Sequence, residues 1–297
     1  MLSALIIRKP TNLEQHELLR SQQMMPAQLE PSYLAFITQA HQEHYSCLEV
    51  LKANLERLGI VYAEAKRGEP WPRRKFDFII ALGGDGTLIT ASYGISDETP
   101  LIGIKSSSAS VGYLCAADQS TLGPVMDMLV AGQLEFVPRH RLRALIERTD
   151  GRREQSPCLA LNDFLFAAAS PAATTRYRIA NFDRIEVHKS SGIWIATATG
   201  STAAIAAAGG VAMTPDDGHF QFRIRELYRA EGDGLMITGG FSDPHRDIFW
   251  IENHCPAAIL ALDGEKWETK IGFGDIIRFE AGQAVRVALR PRHLTFN

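Results

Sequence analysis

An apolar run from Phe76 to Leu82 ends in Gly83-Gly84-Asp85-Gly86-Thr87, and Leu88-Ile89-Thr90-Ala91-Ser92 follows it. Few folds accommodate that order. The run reads as a buried strand and the residues after the glycines as the start of a helix, which predicts a strand–turn–helix unit. Three glycines in four positions strip Cβ atoms from the turn, so that positive φ and close approach to a bulky anion are both open to it. Amides at a helix N-terminus add donors and a partial positive charge suited to phosphate. A carboxylate repels phosphate, so Asp85 implies a hydroxyl to be deprotonated or a metal bridging phosphates. An ordinary strand–helix turn with Asp85 as its N-cap accounts for the same five residues.

The segments around this unit extend the pattern. Residues 2–8 read as a first strand, and Leu34, Ile37, His41, His44, Leu48, Leu51, Leu55 and Leu58 recur at helical spacing over 33–58 before Gly59. Ile60 to Tyr62 reads as a short strand, Arg73-Arg74-Lys75 leads into the glycine unit, residues 100–104 form another strand, and 118–131 another helix. Alternating strands and helices with continuous apolar strands predict a parallel sheet with helices on both faces over residues 1–132. From residue 133 to 290 the texture is β-rich. Strands are expected over 136–148, 159–167, 178–187, 193–197, 248–252, 257–262, 275–280 and 284–289, with turns at Asp150-Gly151 and Asp263-Gly264. Residues 291–297 form a tail that can return to the first domain.

Composition excludes several classes. A net charge of −3 argues against a general nucleic-acid binder. No stretch approaches the ~18 apolar residues that span a membrane, and the N-terminal run reads as a strand, not a signal peptide. Cys47, Cys115, Cys158 and Cys255 form no C-x-x-C pair, and scattered reduced thiols fit a cytoplasmic protein. His41 and His44 share a helix without a third ligand in view, which favours packing over a metal site.

Two segments of the β-rich half carry polar groups where chemistry can use them. Asn162 and Asp163 open an apolar strand, as a turn or as an amide and carboxylate for vicinal ribose hydroxyls. Ala196 to Gly210 ends a strand, places Gly200-Ser201-Thr202 before an alanine-rich helix, and stops at two glycines. Its small side chains allow a ligand to lie close to the backbone.

Taken in order, G-G-D-G-T at 83–87, N-D at 162–163 and T-A-T-G-S-T-A at 197–203 resemble the NAD kinase family. The first motif also occurs in lipid kinases, and the ordered trio is far more specific. Residues 112–117, 161–173, 190–192 and 200–210 are similar to the plant NADH kinase branch in particular. Departures are Ala198 for proline, Ala204 for tyrosine, Asp163 for glutamate, Ser191 for aspartate and Lys105 for asparagine.

The resemblance implies an α/β domain followed by a β-rich dinucleotide-binding domain. It also implies phosphoryl transfer from ATP or polyphosphate to the 2′-hydroxyl of the adenosine ribose of NAD or NADH. Asp85 is then the proton acceptor, Gly83, Gly84, Gly86 and Thr87 hold phosphate, and Mg2+ or another divalent cation rides on the donor phosphates without protein ligands. Asn162 and Asp163 bind the nicotinamide-side ribose, and Thr199, Thr202, Ala203 and Ala204 surround the adenosine, with Lys189 and Ser201 also on the dinucleotide. A homodimer or homotetramer is expected, with no nucleic-acid or membrane partner. A lipid kinase and a non-catalytic dinucleotide sensor are the alternatives.

Overall fold

The structure, a computed structural model, describes residues 1–22, 24, 29–72, 74–229, 234–264 and 267–294; Arg73 and residues 295–297 of the tail lie outside them. Two compact units emerge, the first from Met1–Val137 with Val285–Asn297, the second from Pro138–Ala284.

The first unit holds β1 (Ser3–Arg8), α1 (Asn12–Ser21), α2 (Pro31–Arg57), β2 (Val61–Lys66), β3 (Phe78–Gly83), α3 (Asp85–Ser92), β4 (Leu101–Lys105), β5 (Ala117–Asp118) and α4 (Leu122–Val130). Its sheet runs β4-β3-β1-β2, all parallel, with Ile6 opposite Ile80 and Ile80 opposite Ile102. Every residue of β3 is buried, which is why it reads as an unbroken apolar run. Leu48, Leu51 and Leu55 of α2 and Leu122, Val125 and Met126 of α4 cover one face, packing on Ile6, Ile80 and Ile102. Each such leucine contributes about 1.5–3 kcal/mol by leaving water. On the other face Leu5, Ile7, Ile79 and Ala81 are buried, and α3 packs on β1, β3 and β4.

Two helices differ from expectation at their starts. α4 begins at Leu122 because the Asp118 carboxylate takes the amides of Ser120 and Thr121 into a turn first. α1 was not expected, since it buries no residue and shows no apolar stripe; a Thr11–Glu14 capping box holds its start. Among the described residues no helix is long and apolar enough to cross a membrane.

The strands that follow are β6 (Phe136–Glu147), β7 (Arg153–Gln155), β8 (Asp163–Ala168), β9 (Thr175–Asn181), β10 (Arg184–Ser190) and β11 (Gly192–Ala196). A 3-10 turn over Thr199–Thr202 and α5 (Ala204–Ala207) precede β12 (Phe220–Arg225), β13 (Gly239–Ser242), β14 (Phe249–Asn253), β15 (Ala258–Leu262), β16 (Trp267–Ile271) and β17 (Ile276–Ala288). Within the second unit β10-β9-β14-β17 and β13-β12-β11-β8-β15-β16 are antiparallel neighbours. Phe164, Phe220, Phe222, Phe249 and Phe279 pack ring on ring between 4.7 and 6.0 Å and anchor the strands that carry the candidate site.

The expected strand over 178–187 is a hairpin, β9 and β10, turning at Phe182 with φ 56°. No glycine signals that turn. The two strands expected at 275–280 and 284–289 are one, β17, because Gly282 marks a close approach: a Cβ there would lie 2.5 Å from Leu159 Cδ2.

Candidate active site

In the first unit the glycine turn joins β3 to α3 as the sequence predicts. Gly84 is the N-cap, in extended backbone, and Asp85 is the first helical residue, so Asp85 is not the cap. None of Gly83, Gly84 and Gly86 has positive φ. They serve by close packing and open space instead. A Cβ on Gly83 would stand 2.9 Å from Thr87 Cβ, and one on Gly84 2.8 Å from Ser110 Oγ, whereas over Gly86 the nearest atom is Arg67 Nη1 at 3.7 Å. Thr87 is buried beneath the turn, and its amide donates to Gly84 O at 2.9 Å.

The half-buried Asp85 carboxylate is fixed from a second loop. Tyr113 N donates to Oδ2 at 3.0 Å and Leu114 N to Oδ1 at 2.7 Å. That loop is held in turn by Arg290, whose Nη2 donates to Gly112 O at 3.0 Å and whose Nε donates to Cys115 O at 3.4 Å. Gly112 has φ 70° and rests against the stem of Lys105, a geometry that favours glycine. A carboxylate held by two amides at a glycine-lined helix N-terminus suits a hydroxyl and a phosphate together.

The two histidines of α2 take separate partners. His41 Nδ1 lies 2.8 Å from Thr11 Oγ1, and His44 Nδ1 lies 2.8 Å from Ser106 Oγ, which in turn donates to Gly83 O. Burial pushes the His44 imidazole down to about 4, so it supports the turn as a neutral ring.

In the second unit β11 pairs with β8, setting Ala196 opposite Asp163. Thr197 N donates to Asn162 O at 2.8 Å and Thr197 Oγ1 to Leu161 O, while Gly200 sits so close to Asn162 O that no Cβ would fit. Asn162, Asp163, Thr199 and Ser201 therefore share one patch. The Asp263 carboxylate braces it by accepting the amides of Leu161, Asn162 and Asp163 at 2.8–2.9 Å. Asn162 Oδ1 and Thr199 Oγ1 are buried without hydrogen-bond partners, a condition a bound donor would relieve. Burial, and then the negative charge of Asp263, push the Asp163 carboxyl up to about 7.

Thr202 and Ala204 are exposed on the same loop, with Ala203 half-buried between them. Lys189 stands apart on β10, its Nζ 4.9 Å from the centre of the Tyr228 ring, in a cavity of about 310 Å3 that Ser191 and Glu226 also line. Asp263 and Arg290 were missed as site residues. The Asp263-Gly264 turn was the only local signal for the first, and nothing near Arg290 signals the second.

Residues 18–134 match the family of ATP-NAD kinase N-terminal domains. The chain is 29% identical to an NADH kinase of Arabidopsis thaliana over 275 residues, 86% of each protein. It is 30% identical to an NAD kinase of Moorella thermoacetica over 222 residues, covering 73% of this chain and 68% of the relative. The crystal structure of yeast NADH kinase complexed with NADH is similar in fold, with a TM-score of 0.72 at 16% identity, covering 99% of this chain and 84% of that one.

Proposed function

The chain belongs to the NAD kinase family, and from that membership we propose that it transfers the terminal phosphoryl group of ATP to the 2′-hydroxyl of the adenosine ribose of NAD or NADH. The observation that carries the reading is Asp85, a half-buried carboxylate fixed by two amides beside an open glycine turn. Phosphoryl transfer has a loose transition state that demands little early deprotonation, so Asp85 need only orient the hydroxyl and take its proton late. Gly83, Gly84, Gly86 and Thr87 frame the phosphates. Asp85 is the one carboxylate of that turn, which fits a divalent cation that would be carried in on the donor phosphates and would neutralise charge on the transferring group.

Asn162 and Asp163 take the nicotinamide-side ribose. Thr199, Ser201, Thr202, Ala203 and Ala204 form the loop around the adenosine, and the cavity that Lys189 and Ser191 border is taken for the nicotinamide side. A coupled assay with NAD and NADH, each with ATP and with polyphosphate, tests the reading. NADP or NADPH should form with at least one pairing, and its absence from all four overturns the reading.

The raised Asp163 carboxyl gives a pH signature. The folded chain holds this proton more tightly than the unfolded chain, whose aspartates titrate near ~3.9. The stability that this difference contributes is present below that value and is lost as pH rises through about 7. Ribose hydroxyls donate to the ionised form. Dinucleotide affinity, measured calorimetrically, should therefore rise as pH passes through about 7 and level off above it, and Asp163→Asn should flatten the profile. A wild-type profile as flat as that of the variant removes Asp163 from the ribose.

Redox preference follows from Ser191. The oxidised nicotinamide ring is positive and the reduced ring neutral; with Ser191 in place of an aspartate, Glu226 is offset by Lys189, and this less negative pocket gives the positive ring less advantage. NADH should be used at least as well as NAD, and Ser191→Asp should shift preference towards NAD. A wild-type kcat/KM about tenfold higher for NAD, about 1.4 kcal/mol, contradicts this.

The same hairpin supports assembly. Phe182, Ile185 and Val187 are 52%, 55% and 64% exposed, and β10 is the edge strand of its sheet. Apolar edge strands pair with other chains unless covered. A homodimer or homotetramer is expected, and a light-scattering mass of 32.8 kDa, that of a single chain, rules it out.

A further inference from the structure

Two cations, Lys9 and Arg67, flank the glycine turn without an ion pair among the described residues. Lys9 directly follows β1, its amide donating to Leu82 O at 3.1 Å, and its Cβ lies 3.4 Å from where a Cβ on Gly83 would stand. Arg67 directly follows β2, its amide donating to Arg8 O at 2.8 Å, and its Nη1 is the nearest atom to the open space over Gly86. The two strands are parallel neighbours, with Arg8 opposite Lys66. Both side chains thus emerge at the carboxyl end of the sheet, where open α/β sheets bind ligands.

Their surroundings do not explain them. Among the described residues neither Lys9 nor Arg67 forms an ion pair, whereas the adjacent Arg8 pairs with Glu14 at 3.5 Å. The Glu43 carboxylate, which acts on Lys9 from a distance, is engaged by the amide and hydroxyl of Ser108 at 2.7–3.1 Å. Both cations are half-buried. Burial lowers the pKa of each, and the charge of Arg67 lowers that of Lys9 further. Two like charges drawn partly out of water are stabilised by an anion that meets both.

We propose that Lys9 and Arg67 clamp the phosphate tail of the phosphoryl donor over the Gly83–Thr87 turn. The assignment rests on the kinase reading above and adds a consequence. Recognition through the tail alone means that inorganic tripolyphosphate occupies the same place and competes with ATP.

The test uses the full chain with Mg2+ and tripolyphosphate as the titrant. Lys9→Gln and Arg67→Gln keep much of each stem and remove the charge. Wild type should bind tripolyphosphate, and tripolyphosphate should inhibit competitively against ATP. Each variant should weaken tripolyphosphate binding and raise the KM for ATP by about tenfold or more, the scale of a lost charge-assisted contact. The KM for NADH should stay within about twofold, which also reports an intact fold. Unchanged tripolyphosphate affinity in both variants overturns the clamp, whatever the turnover. Loss of tripolyphosphate binding in the variants of a protein that phosphorylates neither NAD nor NADH sustains the clamp and removes the kinase reading instead.

Discussion

Asp85→Asn should lower turnover by about 10²–10⁴ while leaving dinucleotide affinity nearly unchanged. The amide has the shape of the carboxylate and retains one oxygen for the amides of Tyr113 or Leu114. It cannot accept the proton of a hydroxyl. Steady-state kcat measured beside a binding titration separates the two effects. A variant that kept more than about a tenth of wild-type kcat would show that the reaction proceeds without a base at this position.

Asp263→Ala should be the most damaging substitution in the second unit. Its carboxylate accepts three successive amides, those of Leu161, Asn162 and Asp163, and alanine leaves all three without an acceptor. Hydrogen bonds to a charged group are worth about 1.5–3 kcal/mol each, and the set is not additive, so a loss on the order of 3 kcal/mol in urea denaturation is expected. Dinucleotide binding should fall with it, because Asn162 and Asp163 lose the backbone that aims them. Asp263→Asn makes a sharper comparison. It retains an acceptor oxygen but removes the charge that helps to raise the Asp163 carboxyl, so the pH profile of binding should move to lower pH. A profile that stays in place would assign the raised value to burial alone.

These two residues were unequally legible. The glycine turn is local: an apolar run, three glycines and a helix start lie within seventeen residues, Phe76 to Ser92, and periodicity resolves them. What those glycines do was not legible, because their close contacts include Ser110, which only the folded chain brings near. Asp263 reads locally as a turn residue, and the amides that donate to its carboxylate lie about a hundred positions earlier. Nothing local relates Lys9 to Arg67; only the parallel pairing of β1 with β2 brings them side by side. Phe182 and Gly282 misled in opposite directions. An aromatic residue made a left-handed turn, and a glycine in the gap between two expected strands lay inside one strand, where a packing partner and not a backbone angle required it.

The hold of Arg290 on the 112–115 loop has a consequence in time. Gly112 is made 178 residues before the arginine that secures it, roughly 10–40 s earlier at ordinary translation rates. A nascent chain therefore displays its glycine turn and Asp85 long before the loop opposite is tied down. Local strand–helix folding in the first half cannot by itself complete the seat of that carboxylate. Competence arrives late in synthesis, when β17 has been added and Arg290 reaches the loop.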